Sequence, residues 1–229
     1  DALLLARFCE PRRSQKAADL CSGCGIVSLE WHDRGHRGLC AAVELQPEAS
    51  ALLQEAVAAQ GIEHITPYLT DLRTFREGEG QFDVCACNPP YFTAGPQSTD
   101  AGRATARHET DCTLEDVCAC GFRLLKDGGK LVVVSPSPRH LFELKEVLYE
   151  KPYENKPNVY GLNKFDESEE MIFEYPVVLE SHEDIFNLFT MTPYYYKTSA
   201  EAVEKLKKVN RLELTCGFSI RTFTKKRGF

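Results

Sequence analysis

The chain has 229 residues, of which 43% are apolar and 27% charged, and its formal net charge is −7. This composition is typical of a folded globular protein and excludes a disordered tail. No apolar run reaches the roughly 18 residues that a membrane-spanning helix requires, so we expect no membrane association. The acidic balance disfavours a nonspecific nucleic-acid coat, because affinity for phosphates comes mainly from Lys and Arg. It does not exclude an enzyme with a local basic patch.

The start of the chain and its cysteines indicate the compartment. Residues 1–7 lack the basic start and long apolar stretch of a signal peptide, and we expect residues upstream of Asp1 to be missing. Most of the ten cysteines lie in apolar segments, where a free thiol behaves as a small hydrophobic group. Cys21 and Cys24 are spaced like half of a zinc site, but no second pair follows, so no metal is expected. Reduced thiols in a cytoplasmic protein are the expectation.

Residues 1–126 alternate between strand and helix patterns. We predict strands over 16–20, 38–45, 65–69, 82–87 and 130–135, helices over 26–31, 47–60 and 113–125, and a turn over 127–129. Buried strands separated by helices predict an α/β fold with a doubly wound, mostly parallel sheet. Ligands bind at the carboxyl ends of such strands, and the motifs described below all lie there.

The pattern changes after Ser135. We predict helices over 141–148, 181–191 and 199–209, a mobile excursion over 150–170, a strand over 171–179 and a long edge strand over 212–224. The last of these is expected to join the sheet as an antiparallel C-terminal strand.

A glycine-rich turn with an acid before it follows the first strand. Glycines there let the backbone approach a ligand, but the third glycine of a dinucleotide-binding turn is replaced by Ser28. Asp19 would repel a pyrophosphate and suits a cationic ligand instead. S-adenosylmethionine has an ammonium and a sulfonium group and no phosphate, so we predict it as the cofactor. The candidate cofactor-binding residues of the turn are Asp19, Cys21, Gly23 and Gly25.

Two more acids end the next two strands. Glu44 can accept both ribose hydroxyls in a bidentate hydrogen bond, a device shared with NAD enzymes, or it can be an exposed glutamate beside a helix. Asp71 can accept from the adenine amino group, or it can cap a turn. Leu45 and Leu72, which follow these acids, complete the candidate cofactor-binding set together with Asn88.

The sharpest motif is Asn88-Pro89-Pro90-Tyr91, after the fourth strand. Two prolines fix the backbone and remove two donors, which leaves the Asn88 side-chain oxygen and the Pro89 carbonyl as acceptors. Tyr91 adds an aromatic plane. These residues are candidate catalytic groups for a planar substrate with an exocyclic amino group, whose lone pair would be directed toward a methyl donor. The alternative is a proline-stiffened loop.

These motifs resemble those of class I S-adenosylmethionine-dependent amino-methyltransferases. Residues 1–126 resemble in particular the bacterial tRNA (adenine-N6) methyltransferase family that modifies a valine tRNA. The matching stretches are 1–8, 19–25, 88–92, 106–109 and 112–116. The resemblance implies a Rossmann-like fold and places Arg107 and His108 near the substrate, together with Tyr91 and Phe92.

The second half, residues 127–229, resembles the family of rRNA guanine-N1 methyltransferases, without that family's zinc ribbon. The matching stretches are 133–145, 149–152, 191–197 and 218–221. We therefore predict a single methyltransferase domain over 1–229, built from two halves that join near 128–132. In the second half Arg139 and His140 are candidate RNA contacts, and Tyr194–Tyr196 can stack unpaired bases or pack a helix end.

The leading hypothesis is methyl transfer to the N6 amino group of an unpaired adenine in RNA, most simply tRNA. Guanine N1 in rRNA and a glutamine side chain in a protein are alternative acceptors. A NAD-dependent oxidoreductase is disfavoured by Ser28 and by Asp19. A catalytically inactive scaffold that only binds S-adenosylmethionine is the remaining alternative.

Overall fold

The computed structural model describes residues 1–89, 112–156, 163–195 and 197–228. In chain order the elements are α1 (Ala2–Phe8), β1 (Ala17–Leu20), α2 (Ile26–Asp33), β2 (Cys40–Glu44), α3 (Pro47–Gln60), β3 (Ile65–Leu69), β4 (Phe82–Cys87), α4 (Leu114–Leu124), β5 (Leu125–Pro136), α5 (Phe142–Leu148), β6 (Phe165–Leu179), α6 (His182–Thr190), α7 (Ala200–Leu206) and β7 (Leu212–Lys225). The alternation predicted for residues 1–126 is confirmed.

Seven strands form one sheet in the order β3-β2-β1-β4-β5-β7-β6. β1 pairs in parallel with β2 on one side and with β4 on the other. The chain runs outward from β1 through β2 to β3 and then returns to β4, so the strand order reverses beside β1. Residues at the carboxyl ends of β1 and β4 therefore flank the topological switch point, where open α/β sheets bind ligands.

The C-terminal strand runs antiparallel to its neighbour, as predicted. Ser168 Oγ donates to the Thr222 carbonyl at 3.2 Å, and the Lys226 N–H donates to the Lys164 carbonyl at 3.1 Å. Residue numbers thus rise along β6 while they fall along β7. The predicted α/β doubly wound, mostly parallel sheet with an antiparallel C-terminal strand is confirmed.

Local signals place the ends of two helices correctly. Pro47 occupies the first turn of α3, and Gly61 ends the helix in the left-handed conformation with φ of 61°. At α4, Thr113 Oγ1 accepts from the Asp116 N–H while the Asp116 carboxylate accepts from the Thr113 N–H. This reciprocal capping box fixes the helix start three residues before the first buried apolar side chain of α4.

Three predicted elements differ in the structure. β5 begins at Leu125 rather than at residue 130. Leu125 pairs with Phe82 and Lys130 pairs with Val84, so the predicted turn around Gly128 (φ 75°) is an irregularity within the strand. β6 begins at Phe165, within the predicted excursion over 150–170. β7 lies between β5 and β6, so the prediction of an edge strand there was wrong and the edge belongs to β6.

The chain divides into two compact units. The first comprises Asp1–Ser135, Val159–Met171 and Ile220–Phe229, and the second comprises Pro136–Asn158 and Ile172–Ser219. The core of the first unit packs α4 against the sheet. The second unit has its own apolar core of Leu141, Leu144, Leu148, Ile185, Phe189, Leu206 and Leu214. A single methyltransferase domain over 1–229, with a junction near 128–132, stays a prediction. No helix within the described residues is long and apolar enough to span a membrane.

Candidate active site

The turn after β1 contains three residues in the left-handed region. Cys21, Gly23 and Gly25 have φ values of 56°, 55° and 83°. Gly25 is the N-cap of α2, and a Cβ atom there would lie 2.3 Å from Leu53 Cδ1. Both the positive φ and the close approach of Leu53 therefore require glycine at this position. The turn presents the N-terminus of α2 toward the carboxyl end of the sheet.

Asp19 lies under that helix N-terminus and is 1% exposed. Its Oδ2 atom accepts from the Ser28 N–H at 3.1 Å and from Ser28 Oγ at 2.6 Å. Burial raises the pKa of this carboxyl from 3.8 to about 7, although the two hydrogen bonds from Ser28 act in the opposite direction. Ser28, which the sequence marked only as a missing glycine, thus holds the acid in place.

Glu44 binds one backbone group in the turn after β1 and two directly after β2. Its Oε2 accepts from the Gly23 N–H at 2.7 Å, and its Oε1 accepts from the N–H groups of Leu45 and Gln46 at 2.9 and 2.8 Å. The alternative of an exposed glutamate beside a helix is therefore excluded, because the side chain is buried. Its contact with a ribose stays a prediction. A carboxylate has about four acceptor positions, of which these bonds use three.

Asp71 forms a turn after β3. Its Oδ1 accepts from the Arg73 N–H at 2.8 Å, and the Arg73 guanidinium donates to Oδ2 at 2.5 Å. The hydrogen bond from the Arg73 guanidinium lowers the pKa of the Asp71 carboxyl. The geometry is that of a turn-capping aspartate, the alternative that the sequence left open. An adenine contact by Asp71 stays a prediction.

Asn88 directly follows β4, next to the carboxyl end of β1. The register pairs Leu20 with Cys87, so Cys21 and Asn88 leave the sheet side by side. Asn88 Oδ1 is buried and has no hydrogen-bond partner among the described residues. Such an atom is uncommon in a folded protein, and it leaves Asn88 able to accept a hydrogen bond from a ligand. A ligand contact by Asn88 stays a prediction. Pro89 is buried beside it, whereas Pro90, Tyr91, Phe92, Arg107 and His108 lie outside the described residues.

A cavity of about 430 Å³ opens at these strand ends. It brings together eight of the nine predicted cofactor-binding residues: Asp19, Cys21, Gly23, Glu44, Leu45, Asp71, Leu72 and Asn88. Gly25 is instead packed against Leu53. The cavity is also lined by residues that the sequence analysis missed, namely Ala2, Ser22, Cys24, Ile26, Val27, Val43, Gln46, Thr70, Arg73 and Cys112.

Two of the lining side chains are apolar and exposed. Ile26 is 45% exposed in the first turn of α2, and Leu45 is 42% exposed after β2. The sequence shows that the residue directly after Gly25 is the apolar Ile26, but it does not show that this side chain is exposed in the cavity. Apolar walls with a few polar groups are typical of a small-molecule site.

The candidate RNA contacts Arg139 and His140 lie in the second unit. Arg139 forms ion pairs with Glu143 and Glu154 at 3.9 and 3.5 Å. His140 Nδ1 accepts from the Gly217 N–H at 3.2 Å, and its ring packs against Phe218. Burial lowers the pKa of His140 to about 4. An RNA contact by either residue stays a prediction, and His140 would make it as a neutral ring.

The family comparison agrees with this geometry. The methyltransferase small domain family matches residues 1–166. The chain belongs to that family. Over 140 residues this methyltransferase small domain protein is 30% identical to a tRNA1(Val) (adenine(37)-N6)-methyltransferase from Shewanella halifaxensis. The alignment spans 60% of this chain and 56% of the relative's length.

Solved structures with the same fold cover nearly the whole chain. The YcgJ protein of Bacillus subtilis matches with a TM-score of 0.64 at 13% identity, over 99% of both chains. A putative methyltransferase from Bacillus halodurans matches with a TM-score of 0.59 at 15% identity, also over 99% of both. At these identities the likeness is one of fold, and the methyltransferase small domain chain has the Rossmann-like class I architecture.

Proposed function

We propose that this chain is an S-adenosylmethionine-dependent methyltransferase that modifies the N6 amino group of an adenine in tRNA. The observation that supports it most directly is the buried Asn88 Oδ1, an acceptor without a partner among the described residues, on the wall of a cavity that three carboxylates also line.

The cavity fits the proposed cofactor chemically. Asp19, Glu44 and Asp71 line the cavity with carboxyl oxygens, which are acceptors for an ammonium, ribose hydroxyls and an amino group. Ser22 Oγ is a second buried polar atom without a partner in the described part of the chain. Ile26 and Leu45 offer apolar surface for a purine ring. When bound, S-adenosylmethionine would supply a methyl group on a positively charged sulfur.

The acceptor side follows from the groups after β4. Asn88 Oδ1 and the Pro89 carbonyl accept hydrogen bonds and offer no proton. They would hold the two N–H bonds of an exocyclic amine and thereby orient its lone pair, a gain from positioning. A ring nitrogen such as guanine N1 needs a base to remove its proton, which these acceptors do not provide. Adenine N6 is thus favoured over guanine N1.

The choice of tRNA rests on the relatives. The protein from Shewanella halifaxensis is named as an enzyme that acts on adenine 37 of a valine tRNA, and a relative from Aeromonas hydrophila has the same name and 30% identity. Because the alignment covers 56% of the relative's length, the position of the adenine within the tRNA is assigned by the experiment below.

The test is transfer of labelled methyl groups from S-adenosylmethionine into tRNA, rRNA and protein, followed by mass spectrometry of the digested nucleosides. We expect N6-methyladenosine from tRNA. Asn88→Ala should reduce the rate by ~10²-fold or more, because the amine is no longer oriented. Asn210→Ala, at an exposed position outside the cavity, is the matched control and should leave the rate unchanged. Normal cofactor binding without methyl transfer to any RNA would refute the proposal.

A further inference from the structure

Three thiols lie beside the cavity, and none of them is a catalytic group of the proposed methyl transfer. Cys21 lies in the turn after β1, Cys87 is the last residue of β4, and Cys112 precedes the N-cap of α4. Cys21 and Cys112 both line the cavity, and both pack against the apolar core that contains Cys87. All three are free thiols. The fold therefore brings together sulfur atoms from three distant parts of the sequence.

The backbone at Cys21 makes this arrangement unusual. Its φ of 56° is in the left-handed region, which raises the energy of a residue with a Cβ by roughly 1–2 kcal/mol relative to glycine. Glycine, used at Gly23 and Gly25, would form the turn without that penalty. A side chain at position 21 therefore needs another role, and this one lines the cavity together with Cys112.

Access to solvent distinguishes the two possible partners of Cys21. Cys87 is fully buried at the end of β4. Cys21 and Cys112 are partly exposed, and both line the cavity. A small oxidant that enters the cavity reaches this pair, whereas Cys87 is shielded.

We propose that Cys21 and Cys112 are a site of reversible oxidation, at which a peroxide joins the two sulfurs in a disulfide and closes the cavity to its ligand. The disulfide itself is independent of the function proposed above. Its effect on S-adenosylmethionine binding rests on that proposed function.

The reaction is balanced as follows. The thiolate of one cysteine attacks hydrogen peroxide, the O–O bond breaks, and a sulfenic acid forms with release of hydroxide, which takes up the proton lost by the thiol. The second sulfur then attacks the first, the S–O bond breaks, the S–S bond forms, and water leaves. In total the two thiols lose two hydrogens and two electrons, and one peroxide is reduced to two waters.

The surroundings of the thiols set the rate. The neighbouring Cys21, followed by burial, raises the pKa of Cys112. For Cys21, the influence of Cys112 lowers the pKa, but Cys87 and burial outweigh it, so the net direction is upward. Because the thiolate is the reacting form, oxidation should be slow at pH 7 and at least several-fold faster at pH 9.

A disulfide would change the cavity directly. It would tie the glycine-rich turn to the residue before α4 and place two bonded sulfurs on the cavity wall. Thr113, adjacent to Cys112, is held in the capping box of α4, so the helix start would be drawn with it. A ligand that contacts the turn would then bind more weakly.

The experiment maps the disulfide in the whole protein. The chain is treated with hydrogen peroxide, remaining thiols are alkylated, and trypsin is added without reductant. The sequence predicts a linked pair of peptides, 17–34 and 108–123. Cys21→Ser and Cys112→Ser should each abolish the link. Cys24→Ser, at the exposed thiol of the same turn, should keep it.

Calorimetry with S-adenosylmethionine is run on reduced, oxidised and re-reduced protein. We expect at least a tenfold loss of affinity on oxidation and full recovery with dithiothreitol. Absence of the linked peptides in the unsubstituted protein, or their persistence in Cys112→Ser through Cys118 or Cys120, would overturn the disulfide. A link that leaves affinity unchanged would overturn closure of the cavity. Reduced protein that does not bind S-adenosylmethionine would refute the proposed function instead, with the peptide map unaffected.

Discussion

The Ser28 hydroxyl donates to Asp19 Oδ2 at 2.6 Å and so connects the first turn of α2 to the end of β1. A dinucleotide-binding turn would have glycine at this position. Here a serine side chain supports a buried acid whose charge is partly suppressed by its surroundings. The state of that acid should govern both folding and ligand binding.

Asp19 should make the stability of the protein depend on pH. Burial raises its pKa from 3.8 to about 7, so between these values the folded state binds a proton that the unfolded state has lost. The contribution of Asp19 is fully present below pH 4 and is lost as the pH rises through 7. The shift corresponds to roughly 4 kcal/mol as an upper limit. Urea denaturation at pH 5 and pH 8 measures the loss, and Asp19→Asn should remove most of the difference between the two. An equal difference in that variant would contradict the assignment.

Glu44 should be sensitive to the loss of one oxygen. In Glu44→Gln the amide nitrogen must face a backbone N–H of Gly23, Leu45 or Gln46, because both carboxylate oxygens accept from such groups. We expect the free energy of unfolding to fall by about 2 kcal/mol. Urea denaturation is the measurement. The control is Glu48→Gln, at an exposed position in the first turn of α3, which should change it by less than about 1 kcal/mol. Similar losses of stability in both variants would contradict the structural role of the hydrogen bonds to Glu44.

Gly25 and Gly61 provide a matched pair of glycine substitutions. Both have positive φ, but a Cβ at Gly25 would overlap buried Leu53, whereas nothing lies within 4 Å of one at Gly61. Gly61→Ala should lower the free energy of unfolding by about 1–2 kcal/mol, the backbone penalty alone. Gly25→Ala should lower it by about 1–3 kcal/mol more, because Leu53 must move within a packed core. Thermal and urea denaturation of both variants give the comparison, and equal losses would show that Leu53 adapts freely.

His140 should stay neutral at physiological pH. Burial lowers its pKa from 6.5 to about 4, so the unfolded chain takes up a proton before the folded one does. Its contribution to stability is therefore present above pH 6.5 and is lost as the pH falls toward 4. NMR titration of the imidazole Cε1–H signal, assigned with His140→Gln, should give a midpoint near 4. A midpoint at or above 6.5 would restore His140 as a cationic candidate for phosphate binding.

The local motifs of the first half could be predicted from sequence because each depends on neighbouring residues. The turn from Asp19 to Gly25, the start of α3 at Pro47 and the capping box at Thr113 are all of this kind. The bond from the Gly23 N–H to Glu44 could not be predicted in the same way, since these two residues are 21 positions apart in the sequence.

Strand order and burial were the harder features, because both depend on distant contacts. β6 starts at Phe165, whose ring packs 5.8 Å from that of Phe122 in α4, and no local pattern shows that contact. Lys145 in α5 is fully buried, with its amine donating to the Tyr153 carbonyl at 3.0 Å and to Asn155 Oδ1 at 2.7 Å. A lysine in a helical pattern is ordinarily assigned to the solvent face. Its burial here follows from partners up to ten residues away.

The cavity's described lining ends at Cys112, so the positions that shape it were all encoded before α4 begins. Recombination downstream of that point would exchange later helices and strands and leave the residues at these lining positions unchanged. A lineage can thus acquire a new C-terminal half while the inherited pocket stays intact.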